Sequence, residues 1–192
     1  MSGARLAALS LIVPDYDPAI AFFRAALGFE VCEDIPQGPK RWVTLQGPGG
    51  GARLVLARAE GAQQQAAIGA QGGGRVWLFV QTDDFTRDAA RLTAAGAVFE
   101  EAPRHETYGI VAVWRDPWGN RWDLIHPITA GAQGNGLRQA PSRDNWTNFL
   151  TTSARAQNAP TSGEEPMQGL LVLSRAIDRF NEAIGKAVTW LI

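Results

Sequence analysis

The chain contains an internal repeat, and this repeat limits the folds that it can adopt. The segment SLIVPDYDPAIAFFRAALGFEV resembles the segment LFVQTDDFTRDAARLTAAGAVF in residue order, polarity and the positions of turn-forming residues. The equivalent helix starts Asp15 and Asp84 are 69 positions apart. Each copy has the pattern of a strand, a helix that ends at a glycine, and three further strands. The sequence therefore predicts two β-α-β-β-β modules, an α+β fold.

Strands and helices follow the same order in both modules. In the first, Asp17 and Pro18 favour a helix start and Gly28 its end. The glycine run 46–51 lacks the Lys-Ser/Thr of a phosphate-binding loop, so it predicts a hairpin turn. Residues 60–74 have no apolar period and predict a connecting loop. The predicted strands are 6–13, 29–32, 41–45 and 53–57, then 76–81, 97–99, 107–115 and 121–126.

The stretch VAVWRDPWGNRWDL at 111–124 predicts a hairpin that closes the second module. Proline, glycine and asparagine in DPWGN favour a tight reversal. On the outgoing strand, alternation places Arg121, Asp123 and Ile125 on one face. If that face borders a pocket, Asp123 is an acid directed at a ligand; otherwise it is a solvated surface carboxylate.

Composition restricts the classes of partner. The chain has 18 basic and 19 acidic residues and no basic stripe, so nucleic acid is a poor candidate.

A single cysteine, Cys32, excludes an internal disulfide and fits a reducing cytoplasm, where we expect the protein. The apolar run near the start is too short for a secretory signal, and nothing before residue 187 is long enough to predict a membrane span.

The two modules resemble the vicinal oxygen chelate superfamily, which includes glyoxalases, extradiol dioxygenases and bleomycin-resistance proteins. The resemblance rests on V-P-D before the first helix, L-G-F after it, and D-P-W-G-N-R-W-D-L at the end, and it covers residues 5 to 128. It implies modules at about 5–60 and 74–128 that pair as a curved mixed sheet around a small-molecule cleft. We also expect a homodimer.

The resemblance implies four metal-ligand positions, which are usually His, Gln or Glu. Here these positions hold Ala8, Val55, Trp77 and Asp123. Because a divalent ion needs several nitrogen, oxygen or sulfur ligands, one carboxylate would hold it weakly. We therefore expect no metal site and no cofactor; the alternative is one divalent metal with unusual ligands.

Other residues of the implied cleft suit a planar organic ligand. Trp77 supplies a flat apolar plate, although it also fits as filler for a lost metal site. The structural alternative for Asp123 is an ion pair with an arginine, which would only hold the two modules together. The loop 104–109 is polar, which suits substrate contact or proton transfer but is also normal for an exposed loop. The catalytic candidates are Asp123, His105 and Glu106, and the ligand-binding candidates are Trp77, Phe79, Tyr108, Arg121 and Trp42.

After residue 128 the composition changes. Residues 129–166 are rich in small and polar residues and predict a disordered linker. Residues 167–192 have apolar residues every three to four positions and predict an amphipathic helix. This helix resembles the start of a small membrane subunit of TRAP-type transporters, which implies a reading frame that continues into a neighbouring gene. The alternative is a genuine terminal helix that contacts a membrane or a membrane subunit.

These observations predict a protein of this superfamily that binds or transforms a small, planar organic molecule without a complete metal site. An enzyme of the lyase or isomerase type would use Asp123 with His105 or Glu106 for proton transfer. A sequestering protein of the antibiotic- or toxin-resistance type would only bind. A metal-dependent glyoxalase or extradiol dioxygenase with unusual ligands is the remaining alternative.

Overall fold

The computed structural model describes residues 3–127 and 145–157, and it confirms the α+β class with two β-α-β-β-β modules. The first module contains β1 (Ala8–Val13), α1 (Tyr16–Leu27), β2 (Glu30–Gln37), β3 (Lys40–Gln46) and β4 (Arg53–Arg58). After α2 (Gly61–Ala67), the second contains β5 (Leu78–Gln81), α3 (Phe85–Ala94), β6 (Val98–Phe99), β7 (Arg104–Glu106), β8 (Gly109–Arg115) and β9 (Arg121–Pro127). A last helix, α4, spans Trp146–Gln157.

Each module forms its own sheet. The strand order is β1-β4-β3-β2 in the first and β5-β9-β8-β6 in the second, where β7 also pairs with β8. In both sheets the first and last strands of the module are parallel neighbours, β1 with β4 and β5 with β9. The helix between them is the crossover that a parallel pair requires.

The helix α1 joins the two modules. Phe22 lies 5.6 Å from Trp118, and Phe23 lies 5.7 Å from Trp122, measured between ring centroids. Because these tryptophans belong to the second module, the inner sides of both sheets share one hydrophobic core. In the described part of the chain, the main contacts between the modules run through α1 and α3 and not from strand to strand. Each sheet therefore keeps an open face on the side away from this core.

The helix start of the first module differs from the prediction. Asp15, and not Asp17, caps α1 by accepting a hydrogen bond from the Tyr16 amide. Asp17 lies one position too late to cap and instead pairs with Arg41 at 2.6 Å. Gly28 ends the helix as predicted, with a φ of 67° that favours glycine.

The DPWGN turn is a buried polar cluster. One carboxylate oxygen of Asp116 accepts the amides of Trp118 at 3.0 Å and Asn120 at 2.9 Å. The other accepts the Asn120 side-chain amide at 2.8 Å and the Trp122 indole N–H at 3.1 Å. Since every bond fixes part of the reversal, this motif shapes the hairpin instead of contacting a ligand.

Gln71 links that turn to the first module. Its side-chain oxygen accepts the Ile12 amide at 2.8 Å, and its side-chain nitrogen donates to the Ile12 carbonyl at 3.1 Å and to Asn120 Oδ1 at 3.3 Å. The amide thus pairs with the edge of β1 as a neighbouring strand would. The segment 60–74 was expected to be a loop but contains α2, so the prediction is wrong there. A helix without an apolar stripe shows no periodicity of apolar residues in the sequence.

The helix α4 lies within the predicted disordered linker 129–166, so that prediction is wrong for residues 146–157. Trp146 is 5% exposed, with its ring 5.1 Å from Phe99 and 6.3 Å from Phe85. One buried tryptophan anchors a helix that composition alone does not reveal. The rest of the linker and the predicted helix 167–192, with its transporter resemblance, lie outside the described residues. No helix in the described part combines the length and hydropathy needed to span a bilayer.

Candidate functional site

The open face of the second sheet carries the predicted acid at its centre. On β9, Trp122 and Leu124 are almost fully buried, whereas Arg121, Asp123 and Ile125 alternate with them and are only partly buried. Asp123 lies between Phe79 on β5 and Val113 on β8 in the strand register. This alternation confirms the predicted strand face, and it places the carboxylate between two apolar neighbours.

The Asp123 carboxyl group is poorly satisfied. Its Oδ1 atom is buried and has no hydrogen-bond partner among the described residues. Burial raises the pKa of this carboxyl above its ordinary value; Arg104 and Arg121 oppose the shift, and Glu101 adds to it. A buried acceptor without a donor costs free energy, and the carboxyl group as a whole is only partly buried, so it is a candidate contact for a ligand.

A shallow cleft of about 360 Å³ lies on the same sheet; Asp123 is not one of its walls, but Phe79, its partner in the strand register, is. Its walls are Gly74, Arg75, Val76, Phe79 and Arg121. The Phe79 side chain lies on the edge strand β5 and is 63% exposed. The cleft therefore offers an aromatic surface next to two guanidinium groups.

Arg121 is held at the edge of the cleft by Glu100. Its Nη2 lies 2.7 Å from Glu100 Oε2, and its Nη1 donates to the Gly74 carbonyl at 2.7 Å. Arg115 also pairs with Glu100, and the hydrogen bonds from Arg121 lower the pKa of the Glu100 carboxyl. The structural alternative for Asp123, an ion pair with an arginine that joins the modules, is not found among the described residues, where Arg121 is bound to Glu100 instead.

The other end of the face carries a second ion-pair group. Arg104 donates to Glu101 at 2.9 Å and to Glu106 at 3.3 Å. Glu101 also accepts the backbone amide of Val113, the β8 residue opposite Asp123. Glu106, a catalytic candidate, therefore lies on the same face as Asp123 but is already paired.

His105 is placed away from this face. The residues 104–106, predicted as a loop, form β7, and strand alternation separates His105 from Arg104 and Glu106. His105 pairs in register with Ile110, which is opposite His126 on the reverse side of the sheet. It is exposed there and does not join Asp123. Tyr108 lies in the turn between β7 and β8 and is 56% exposed.

Two aromatic candidates also differ from the prediction. Trp77 precedes β5, is partly buried and packs against the core, and it is not among the residues that line the cleft. Trp42 belongs to the open face of the first sheet, where its indole N–H donates to Glu33 at 3.2 Å. Glu33 also accepts bonds from Thr44 and Arg53, and these contacts lower its pKa. Within the described chain, the structure groups Phe79, Asp123, Arg121 and Glu106, but not Trp77, Trp42 or His105.

The residues at the implied metal-ligand positions do not fit a metal ion. Ala8 and Val55 carry no donor atom, and the Trp77 side chain packs against the core. Asp123 is then a single carboxylate, and the described residues contain no group of three or more potential His, Cys, Asp or Glu ligands. A hydrated ion held by one side chain would be weakly bound.

The sequence did not single out Arg75, Glu100 or Glu101, and it included Arg104 only as part of the polar loop 104–109. Their strand neighbours gave a partial signal, since Arg104 is two positions before Glu106 and therefore shares its face. Arg75 follows the glycine run 72–74 and precedes the strand, so only the fold reveals that it lines the cleft.

The chain has relatives among known proteins. The chain is 47% identical over 120 residues to an uncharacterized protein of Shewanella frigidimarina, covering 61% of this chain and 89% of that protein. It is 31% identical to YurT of Bacillus subtilis, covering 63% and 98%.

Solved structures agree. The crystal structure of UcmS2 has a TM-score of 0.56 at 28% identity, with 65% of this chain and 98% of UcmS2 covered. TnmS3, an antibiotic binding protein from Streptomyces sp. CB03234, has a TM-score of 0.54 at 26% identity, with 67% and 99% covered. The family model for the Glyoxalase/Bleomycin resistance protein/Dioxygenase superfamily matches residues 5–124, and the chain therefore belongs to this superfamily.

Proposed function

We propose that this protein binds a small, planar organic molecule on the open face of its second sheet and does so without a metal ion. The observation that carries the proposal is the pairing of Phe79, exposed at 63%, with Asp123, whose buried Oδ1 has no hydrogen-bond partner within residues 3–127 and 145–157. Exposed aromatic rings stack on planar ligands, and an unsatisfied acceptor gains a hydrogen bond on binding.

The size of the cleft supports a small ligand. Its volume of about 360 Å³ falls in the range of small-molecule sites, roughly 300–1,000 Å³. Being shallow, it covers only one side of such a ligand. The similarity to an antibiotic binding protein at 26% identity is consistent with binding as the activity.

Binding is favoured over proton transfer by the placement of the acid-base candidates. His105 is on the reverse side of the sheet, and Glu106 is paired with Arg104. A general acid or base must reach the proton that it transfers. Asp123 alone remains available to contact a ligand, and one carboxyl suffices for recognition.

We also propose that the functional unit is a homodimer in which a second copy covers this face. Both open faces carry exposed apolar side chains, Ile35 and Trp42 on the first sheet and Phe79 on the second. If the first sheet of one copy faces the second sheet of its partner, Trp42 supplies the missing wall of the shallow cleft.

We place the protein in the cytoplasm, which is supported by its single exposed thiol, Cys32.

A thermal-shift screen of planar metabolites and antibiotics tests the proposal, because a ligand of the native state raises the melting temperature. Hits are then titrated against Phe79→Ala and Val98→Ala. Val98 is the matched control, since it is also 63% exposed but lies away from the cleft. We expect binding to be lost only in Phe79→Ala. Equal binding by both variants would show that the ligand site lies elsewhere.

A further inference from the structure

The open face of the second sheet has a charge gradient along β9. Around Arg121 lie Arg75, Arg115 and Glu100; Arg115 and Arg121 both pair with Glu100, and Arg75 adds a third positive charge. Around Asp123 and beyond lie Glu101, Arg104 and Glu106, so one arginine faces three carboxylates. One end of the face is therefore net positive and the other net negative.

Arg75 is the cation available at the positive end. It lines the cleft with Phe79 and Arg121, yet its guanidinium has no hydrogen bond or ion pair to any described residue. Arg121, by contrast, already donates from Nε and Nη2 to Glu100 and from Nη1 to the Gly74 carbonyl. A guanidinium binds a carboxylate or a comparable planar anion through two parallel N–H groups. Arg75 is consequently the group that an anionic ligand would meet.

Asp123 is the acceptor available near the negative end. It is two residues along the strand from Arg121, which corresponds to about 6.8 Å. Phe79 is its direct neighbour and also lines the cleft, so a ring stacked on Phe79 reaches both groups. Because a carboxylate oxygen only accepts hydrogen bonds, its partner must be an N–H or O–H group.

We infer that the ligand is a planar aromatic compound with an anionic group at one end, bound by Arg75, and an N–H or O–H donor at the other, bound by Asp123. This inference rests on the proposed function and narrows its ligand class. A planar compound with only one of the two groups would satisfy only one end of the face.

Three naphthalenes separate the contributions: 6-hydroxy-2-naphthoate carries both groups, 2-naphthoate only the anion, and 2-naphthol only the donor. We expect 6-hydroxy-2-naphthoate to bind about tenfold more tightly than either of the others, as measured by isothermal titration calorimetry. A gain of this size corresponds to one charge-assisted hydrogen bond.

Two substitutions assign each gain to its residue. Arg75→Ala should weaken 6-hydroxy-2-naphthoate and 2-naphthoate about tenfold and leave 2-naphthol unchanged. Asp123→Val should weaken 6-hydroxy-2-naphthoate and 2-naphthol and spare 2-naphthoate. Valine is chosen because Val55 stands at the equivalent position of the first module.

Should that variant fold poorly, Asp123→Asn is the second choice. Its neutral amide oxygen is a weaker acceptor, so this variant should also bind 6-hydroxy-2-naphthoate and 2-naphthol more weakly. Arg5→Ala removes an exposed charge elsewhere and should change nothing.

The possible failures are distinguishable. Equal affinity for all three probes, with binding still dependent on Phe79, would overturn the bipolar ligand class and leave the proposed function intact. The same holds if no probe binds while the screen yields another planar ligand that requires Phe79. Binding that does not depend on Phe79 would overturn both.

Discussion

Phe79 and Asp123 are direct partners across the parallel ladder between β5 and β9, with an exposed ring beside a carboxyl oxygen that no donor in the described part of the chain reaches. An amide in place of the acid removes the charge but keeps the size. We expect Asp123→Asn to weaken ligand binding with little loss of stability, since the neutral group is cheaper to bury. Titration of a hit from the thermal-shift screen, beside chemical denaturation, measures both. A loss of several kcal/mol with binding intact, on the order of a broken buried ion pair, would make Asp123 structural.

The same carboxyl predicts a pH dependence. Burial raises its pKa in the folded state above the ordinary value of 3.8, so ionisation costs stability as the pH rises through the folded pKa. Below the ordinary pKa this penalty is absent. The melting temperature of Asp123→Asn relative to the wild type should therefore increase from about pH 4 to pH 7. Comparing the two proteins at each pH cancels the other carboxylates; a constant difference would contradict the raised pKa.

Trp146 gives the clearest stability prediction. Its ring is 5% exposed and packs against Phe85, Phe99 and Phe149. Trp146→Ala should lower the free energy of unfolding by about 3–5 kcal/mol, as for other buried aromatic truncations. Trp42→Ala is the control, because Trp42 is 39% exposed and should cost much less.

Truncation separates α4 from the residues that follow it. The sequence alone predicts that a chain ending at Pro127 keeps its full melting temperature, but burial of Trp146 reverses this expectation. A chain ending at Gln157 should melt close to the full-length protein, and one ending at Pro127 clearly lower. Equal melting of both truncated chains would show that α4 contributes no stability.

Gln71 bridges the modules by a different means. Gln71→Ala removes the partners of both backbone groups of Ile12 and one contact to Asn120. We expect a loss of roughly 1–3 kcal/mol, measured by urea denaturation, because partly buried donors and acceptors are left unpaired. Gln63→Ala, an exposed glutamine of α2, should change stability by less than about 0.5 kcal/mol. Similar values for both would exclude this role for Gln71.

Metal independence remains a prediction that rests on the side chains at positions 8, 55 and 77. Elemental analysis after purification without chelator should find well under one divalent ion per chain. Addition of a chelator should leave the melting temperature unchanged. Stoichiometric zinc, iron or manganese would contradict it and would require ligands that the described residues do not supply.

The sequence by itself determined the two modules and the face of β9 on which Asp123 lies. Both follow from local patterns, the internal repeat and the alternation along a strand, and tertiary contacts do not change these patterns. It could not place Trp77, since a single aromatic residue at a strand start fits either a cleft or a core. His105 and Glu106 were predicted on one loop, and only the pairing of β7 with β8 separates them onto opposite faces. The tertiary structure alone decided the partner of Arg121, the cleft position of Arg75 and the burial of Trp146. Each depends on contacts between residues far apart in the chain, which no local period encodes.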